Sequence, residues 1–115
     1  MDKTTQDMIA AIRSLEKIGC PIIGMTYKNR EGIQSERDIQ INVNRPNGGN
    51  PLPYGKRISK TLIEHNGSVY VQAIDRNRSK FLRKENPALS LVEADRESTR
   101  AFRVDRIQEL RYASR

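Results

Sequence analysis

The 115-residue sequence contains no tryptophan, one cysteine, one histidine, four tyrosines and two phenylalanines. It also lacks any apolar run of the roughly 18 residues that a membrane-spanning helix requires, so no membrane partner is expected. Cys20 stands alone between Gly19 and Pro21. It has no internal disulfide partner and no ligand companion at metal-binding spacing, which implies a reducing compartment and a structural thiol. No metal site is expected. A Gly-rich phosphate loop followed by Lys-Ser/Thr is missing, as is a G-x-S-x-G elbow. The single histidine, His65, sits in a turn with no acidic or nucleophilic neighbour, and the carboxylates are scattered among basic residues. These absences predict a non-enzymatic protein without a cofactor. The opening residues Met1 to Gln6 lack the basic-then-apolar profile of a secretory signal, so a cytoplasmic location is expected.

What the sequence does have is positive charge. Lysine and arginine number 21 against 14 acidic residues, a net charge of +7. Such a surplus suits polyanionic partners, among them nucleic acid, nucleotides or an acidic protein face. The alternative is a surface charged only for solubility. The positive charges cluster in particular segments, above all Arg76, Arg78, Lys80, Arg83 and Lys84, which favours the first reading. The length suits one domain, 1–115.

Periodicity divides the chain. Met8, Ile9, Ile12, Leu15 and Ile18 recur at steps of three and four, predicting an amphipathic helix over about 5–18. Thr4 or Thr5 is the expected N-cap, Asp7 is expected in the first turn, and Gly19 with Pro21 end the helix. The stripe either docks on the chain's own sheet or pairs with a second protomer. Residues 22–27 read as a strand, 28–32 as a turn, and 34–43 as a strand whose Ile39, Ile41 and Val43 face one way. Residues 44–57, with three prolines and three glycines, read as a long loop, either a mobile insertion with incidental charge or one in which Tyr54 beside Lys56 and Arg57 grips a phosphate or stacks on a base. Two strands flank Asn66-Gly67, a strong hairpin signal. The basic stretch after Asp75 and the segment to 98 read as a second long excursion, with a short helix or irregular structure from Ala88 to Glu97. A closing strand spans 99–105, with Phe102 and Val104 on one face and Arg103 and Asp105 able to pair on the other.

Two of these segments carry a resemblance. The closing Arg100-Ala101-Phe102-Arg103-Val104-Asp105-Arg106-Ile107 resembles the ending R-x-F-R-[LV]-D-R-I of WYL domains. Gly67 to Asp75 resembles the segment that names the family, retaining Tyr70 with Val69 in place of the tryptophan and Val71 in place of the leucine. Tyr27, Gly32 and Arg37-Asp38-Ile39 are similar to the family's first hairpin, and the preceding helix fits its order. Both long loops, 44–57 and 76–98, exceed the connections usual in the family. No winged helix is read ahead of the domain, because one short helix cannot supply a helix-turn-helix.

The resemblance implies a mainly β fold with an N-terminal helix, a small SH3-like (Sm-type) antiparallel β-barrel over about 21–110. It implies a bacterial or phage regulatory or sensing module that accepts a nucleotide or single-stranded nucleic acid on an Arg/Tyr surface. By matching position, the expected ligand-binding residues are Tyr27, Arg37, Tyr70, Arg100, Arg103 and Arg106, with Arg76, Arg78, Lys80 and Arg83 as secondary basic contacts. Arginines offer bidentate phosphate contacts and tyrosines offer stacking faces. The bland readings stand beside these: core tyrosines, and Arg37 and Arg106 paired to barrel carboxylates. The alternative function is a small protein–protein regulator or inhibitor that docks on another protein. A homodimer is compatible with either, since a short barrel leaves edge strands to cover.

Overall fold

Asp2, rather than a threonine, starts the first helix, α1 (Lys3–Lys17), in the computed structural model, which describes residues 2–19, 22–42 and 55–112. Its Oδ1 accepts from the Thr5 amide at 2.7 Å. The expected cap at Thr4 or Thr5 is therefore corrected: a carboxylate already stands at the N-cap, and Thr5 is buried inside the helix. Asp7 lies beyond the first turn. Gly19 takes a φ of +74°, the left-handed geometry expected after the last turn. Cys20 and Pro21 lie outside the described residues, as do Val43 and the 44–54 part of the first long loop.

The apolar stripe of α1 is used within the chain. Ile12 is buried in the core, and Met8, Ile9 and Leu15 pack against it. At the other end of the helix, Glu16 binds the sheet. Its Oε1 accepts from Ser59 Oγ at 2.9 Å, its Oε2 from the Thr61 amide at 3.1 Å, and its carbonyl from Asn42 Nδ2 at 3.3 Å.

The first hairpin joins β1 (Ile22–Lys28) to β2 (Gln34–Gln40), antiparallel from Ile22↔Gln40 to Lys28↔Gln34. Asn29 Oδ1 holds the turn by accepting from the Glu31 and Ile33 amides. The second strand ends earlier than its alternation suggests. Ile39 and Ile41 are both buried, but Asn42 turns left-handed at φ +59° and donates its amide to Thr61 Oγ1.

Lys56 and Arg57, read as loop, form a short strand β3 (Lys56–Arg57) on β4 (Leu62–His65), opposite Glu64 and Ile63. Strand β5 (Ser68–Asp75) follows the Asn66-Gly67 turn, where φ is +50° and +81°, a type I′ geometry that matches strand twist.

In the segment 76–98 the correction concerns its first half, which is helical: α2 (Arg76–Glu85) precedes α3 (Leu91–Glu97), the short helix read within 88–97. Little apolar periodicity announces α2, because polar contacts anchor it. Asp75 caps it by accepting from the Arg78 amide, and Asp95 of α3 accepts from Arg76 Nη1 at 2.7 Å and from the buried Ser79 Oγ at 2.6 Å. A Ser90/Glu93 capping box opens α3.

Strand β6 (Thr99–Arg103) returns alongside β5, with Ile74↔Thr99 through Tyr70↔Arg103 in register. The two helices therefore project from a β5–β6 hairpin. A 3₁₀ turn, Val104–Arg106, breaks the expected 99–105 strand, and β7 (Ile107–Tyr112) pairs with β1. The sheet path is β3-β4-β5-β2-β1-β7, with β6 on β5. Because the 3₁₀ turn carries the chain from the β5 side to the β1 side, the sheet curls. The fold is mainly β with an N-terminal helix, a curled antiparallel half-barrel that fits a small barrel-like fold. Its core collects Ile23, Met25, Ile39, Leu62, Val71, Phe102 and Val104 under Ile12. Among the described residues, no helix is long and apolar enough to cross a membrane.

Candidate functional site

Where the α2 wall meets the barrel, an open groove of about 570 Å³ forms. Its barrel side carries Tyr27 of β1, Arg37 of β2, and Arg100, Ala101 and Phe102 of β6; its helical side carries Asp75, Asn77, Arg78 and Phe81. The volume lies within the range of small-molecule sites.

The floor is built from aromatic packing. Tyr27 and Phe102 meet edge to face, with centroids 5.2 Å apart and planes at 75°. The Tyr27 ring is buried, and its hydroxyl accepts the Arg103 amide at 3.1 Å. Over the Phe102 ring lies the Arg37 guanidinium, 5.8 Å from the centroid. Arg37 Nη1 donates to Asp75 Oδ2 at 2.6 Å, and its Nε donates to Ser35 Oγ at 3.1 Å. The other Asp75 oxygen caps α2, so one carboxylate sets both Arg37 and the helix wall.

The remaining cations are not neutralised. Arg100 donates to the carbonyls of Glu97 and Thr99, and neither Arg100 nor Arg78 has an ion-pair partner among the described residues. Three guanidiniums thus face one carboxylate. Asn77 Oδ1 accepts the Asp38 amide at 2.7 Å, so what Asn77 has left to offer is its NH₂ group. Phe81 stands 55% exposed beside these donors. Chemically, the groove is a set of hydrogen-bond donors next to aromatic surface.

The structure gathers Tyr27, Arg37, Arg100 and Arg78 from the residues the sequence singles out. The others lie elsewhere. Arg103 makes a two-pronged contact to Asp105 at 3.1 and 2.6 Å, which raises an already high guanidinium pKa. It lines a separate recess of about 190 Å³ with Asp105 and Asp2, where two carboxylates outweigh one cation. Tyr70 is half-buried as the cross-strand partner of Arg103. Arg106 sits half-buried in the 3₁₀ turn. Arg76 is turned toward Asp95 and Gln40, while Lys80 and Arg83 are exposed on α2 outside the groove lining. His65 lies in its hairpin next to Asn66. Tyr54 falls outside the described residues.

Sequence reasoning misses Asp75, Asn77 and Phe81. The signal for Phe81 was present, an aromatic residue among Arg78, Lys80 and Arg83. Asp75 and Asn77 gave none, because their roles depend on α2 starting where it does.

Comparison with known proteins adds a fold likeness. No family model matches the chain, and no curated protein matches it. Among solved structures it is similar to proteasome accessory factor B/C (PafBC) of Arthrobacter aurescens, with a TM-score of 0.58 and 16% identity. That match covers 100% of this chain but 12% of the other, so the chain corresponds to a small part of that protein's length.

Proposed function

We propose that the chain is a non-enzymatic, WYL-like sensing module that binds a negatively charged ligand, a nucleotide or single-stranded nucleic acid, in the groove between α2 and the barrel. The observation that carries this reading is that Arg37, Arg78 and Arg100 line one groove beside Phe81 and Phe102 whose single carboxylate, Asp75, pairs with Arg37 alone. Arginine forks match phosphate oxygens, and an exposed ring offers any base a stacking face. The closing Arg-x-Phe-Arg-Val-Asp-Arg-Ile motif and the fold likeness to PafBC, a WYL-domain-containing regulator, support the regulatory part of the reading. The rival, a small regulator docking on another protein, draws less support than the sequence gave it, since Met8, Ile9, Ile12 and Leu15 of the α1 stripe are already packed in the core and Ile18 alone is left exposed.

The test is fluorescence anisotropy with a labelled single-stranded oligonucleotide across a salt series. Binding that weakens steeply with salt, and is lost in Arg78→Ala/Arg100→Ala, supports the proposal. No binding at low salt, or binding indifferent to that double substitution, counts against it.

A further inference from the structure

Resting on that reading, we infer that the groove is built for a phosphomonoester dianion carrying a nucleobase, rather than for the internal phosphodiesters of a strand. The phosphate sits between Arg78 and Arg100, and the base lies on Phe81.

Charge is the first argument. Arg37 and Asp75 neutralise each other at 2.6 Å, which leaves the two guanidiniums of Arg78 and Arg100 uncompensated. A phosphomonoester carries about −1.5 to −2 at neutral pH, which matches that surplus, whereas each internal diester carries a single charge. The second argument is the kind of polar group on offer. Both Asp75 oxygens are taken, by Arg37 and by the Arg78 amide, and Asn77 Oδ1 is taken by the Asp38 amide. Each of these acceptor oxygens is thus already engaged, while the Arg78 guanidinium and the Asn77 NH₂ group are not, which suits a terminal phosphate with three acceptor oxygens.

Spacing supplies the third. Phe81 follows Asn77 by four residues and Arg78 by three on α2, so their Cβ atoms are neighbours about 5–6 Å apart on one helix face. A single nucleoside spans that distance. Beyond Arg100 the barrel side of the lining continues as Ala101 and Phe102, where the one cation, Arg37, is already paired with Asp75. With its side-chain acceptors each engaged by the protein, the groove holds the base by stacking, and the preference among bases is weak.

The ligand has two possible sources, a free mononucleotide or the phosphorylated end of a single strand. Binding is measured with hexathymidylate phosphorylated at the 5′ end, at the 3′ end, or at neither, and with thymidine 5′-monophosphate as competitor. At least one phosphorylated form is expected to bind roughly tenfold tighter than the unphosphorylated strand. Phe81→Ala and Arg78→Gln, with circular dichroism confirming the fold, are each expected to erase most of that advantage. Displacement by the mononucleotide marks the free nucleotide as a sufficient ligand; binding restricted to phosphorylated strands marks the strand end. Equal affinity for all three strands, all weakened alike by Arg78→Gln, overturns the monoester inference while leaving the anion groove standing. A phosphorylation advantage that both substitutions leave intact also overturns it. Absence of binding by every probe overturns the anion groove as well.

Discussion

Arg37 and Asp75 form a 2.6 Å ion pair in which the aspartate side chain is 2% exposed and the arginine side chain 37% exposed. The pair is asymmetric: water still reaches Arg37, while Asp75 depends on its two protein donors, Arg37 Nη1 and the Arg78 amide. Asp75→Ala removes the N-cap of α2 and a charge-assisted hydrogen bond together, a loss of roughly 2–4 kcal/mol. Asp75→Asn keeps a capping oxygen and is expected to cost clearly less. Urea denaturation of both variants checks the order, and equal losses would contradict the double role.

Tyr27 is a core residue whose hydroxyl serves a backbone amide. Tyr27→Phe keeps the edge-to-face contact with Phe102 but leaves the Arg103 N–H without its acceptor. A loss of about 1 kcal/mol is expected, with ligand affinity changed less than about twofold. A large affinity loss at unchanged stability would instead make the hydroxyl a ligand contact.

Asp95 holds α2 from behind, accepting from Arg76 and Ser79 without lining the groove. Asp95→Ala is expected to weaken ligand binding several-fold through displacement of Arg78 and Phe81, roughly 1 kcal/mol in affinity. Chemical-shift changes confined to α2 and α3, with the barrel resonances unmoved, would confirm that route.

On the opposite side of the sheet, a cluster crosses three strands. Thr26 Oγ1 donates to Glu36 Oε2 at 2.6 Å, and Arg111 donates to both Thr26 Oγ1 and Glu36 Oε2 at 3.1 Å. The Thr26 hydrogen bond, helped by Arg111, holds the Glu36 carboxyl below its ordinary value of 4.5. A carboxylate depressed in the folded state contributes stability above its unfolded pKa and loses it as pH falls through the folded value. The contribution is therefore lost below about pH 4.5. Glu36 is 65% exposed, so the effect is small and is screened by salt. Thr26→Val is expected to move the Glu36 titration up toward its ordinary value, read by NMR.

Much of the barrel was legible because its signals are local. Asn66-Gly67 fixes a type I′ turn wherever it falls, and the Ile39/Ile41 alternation names the buried face of β2. The helix α1 was legible from its stripe, although its cap was misplaced because Asp2 competes for the same role two to three residues earlier. What escaped was set by distant polar contacts. The helix α2 buries only Ser79 fully and is fastened by Asp75 and Asp95, so no apolar period marks it. That helix carries half of the groove. Of the arginines in the closing motif, Arg103 pairs with Asp105 as the sequence allowed, and strand alternation within β6 separates it from Arg100.

That separation offers the most direct test of the groove as the ligand site. Oligonucleotide affinity is measured over a salt series for the unaltered protein, for Arg78→Ala/Arg100→Ala, and for Arg103→Ala/Arg106→Ala. Both double variants remove the same formal charge. The groove pair is expected to lose roughly tenfold or more in affinity and to flatten the log–log salt slope by about 0.7 for each strand phosphate it no longer neutralises. The Arg103/Arg106 pair is expected to stay within about twofold, with its slope unchanged. Equal losses in the two variants would reduce binding to net charge, and a larger loss for the Arg103/Arg106 pair would place the ligand elsewhere.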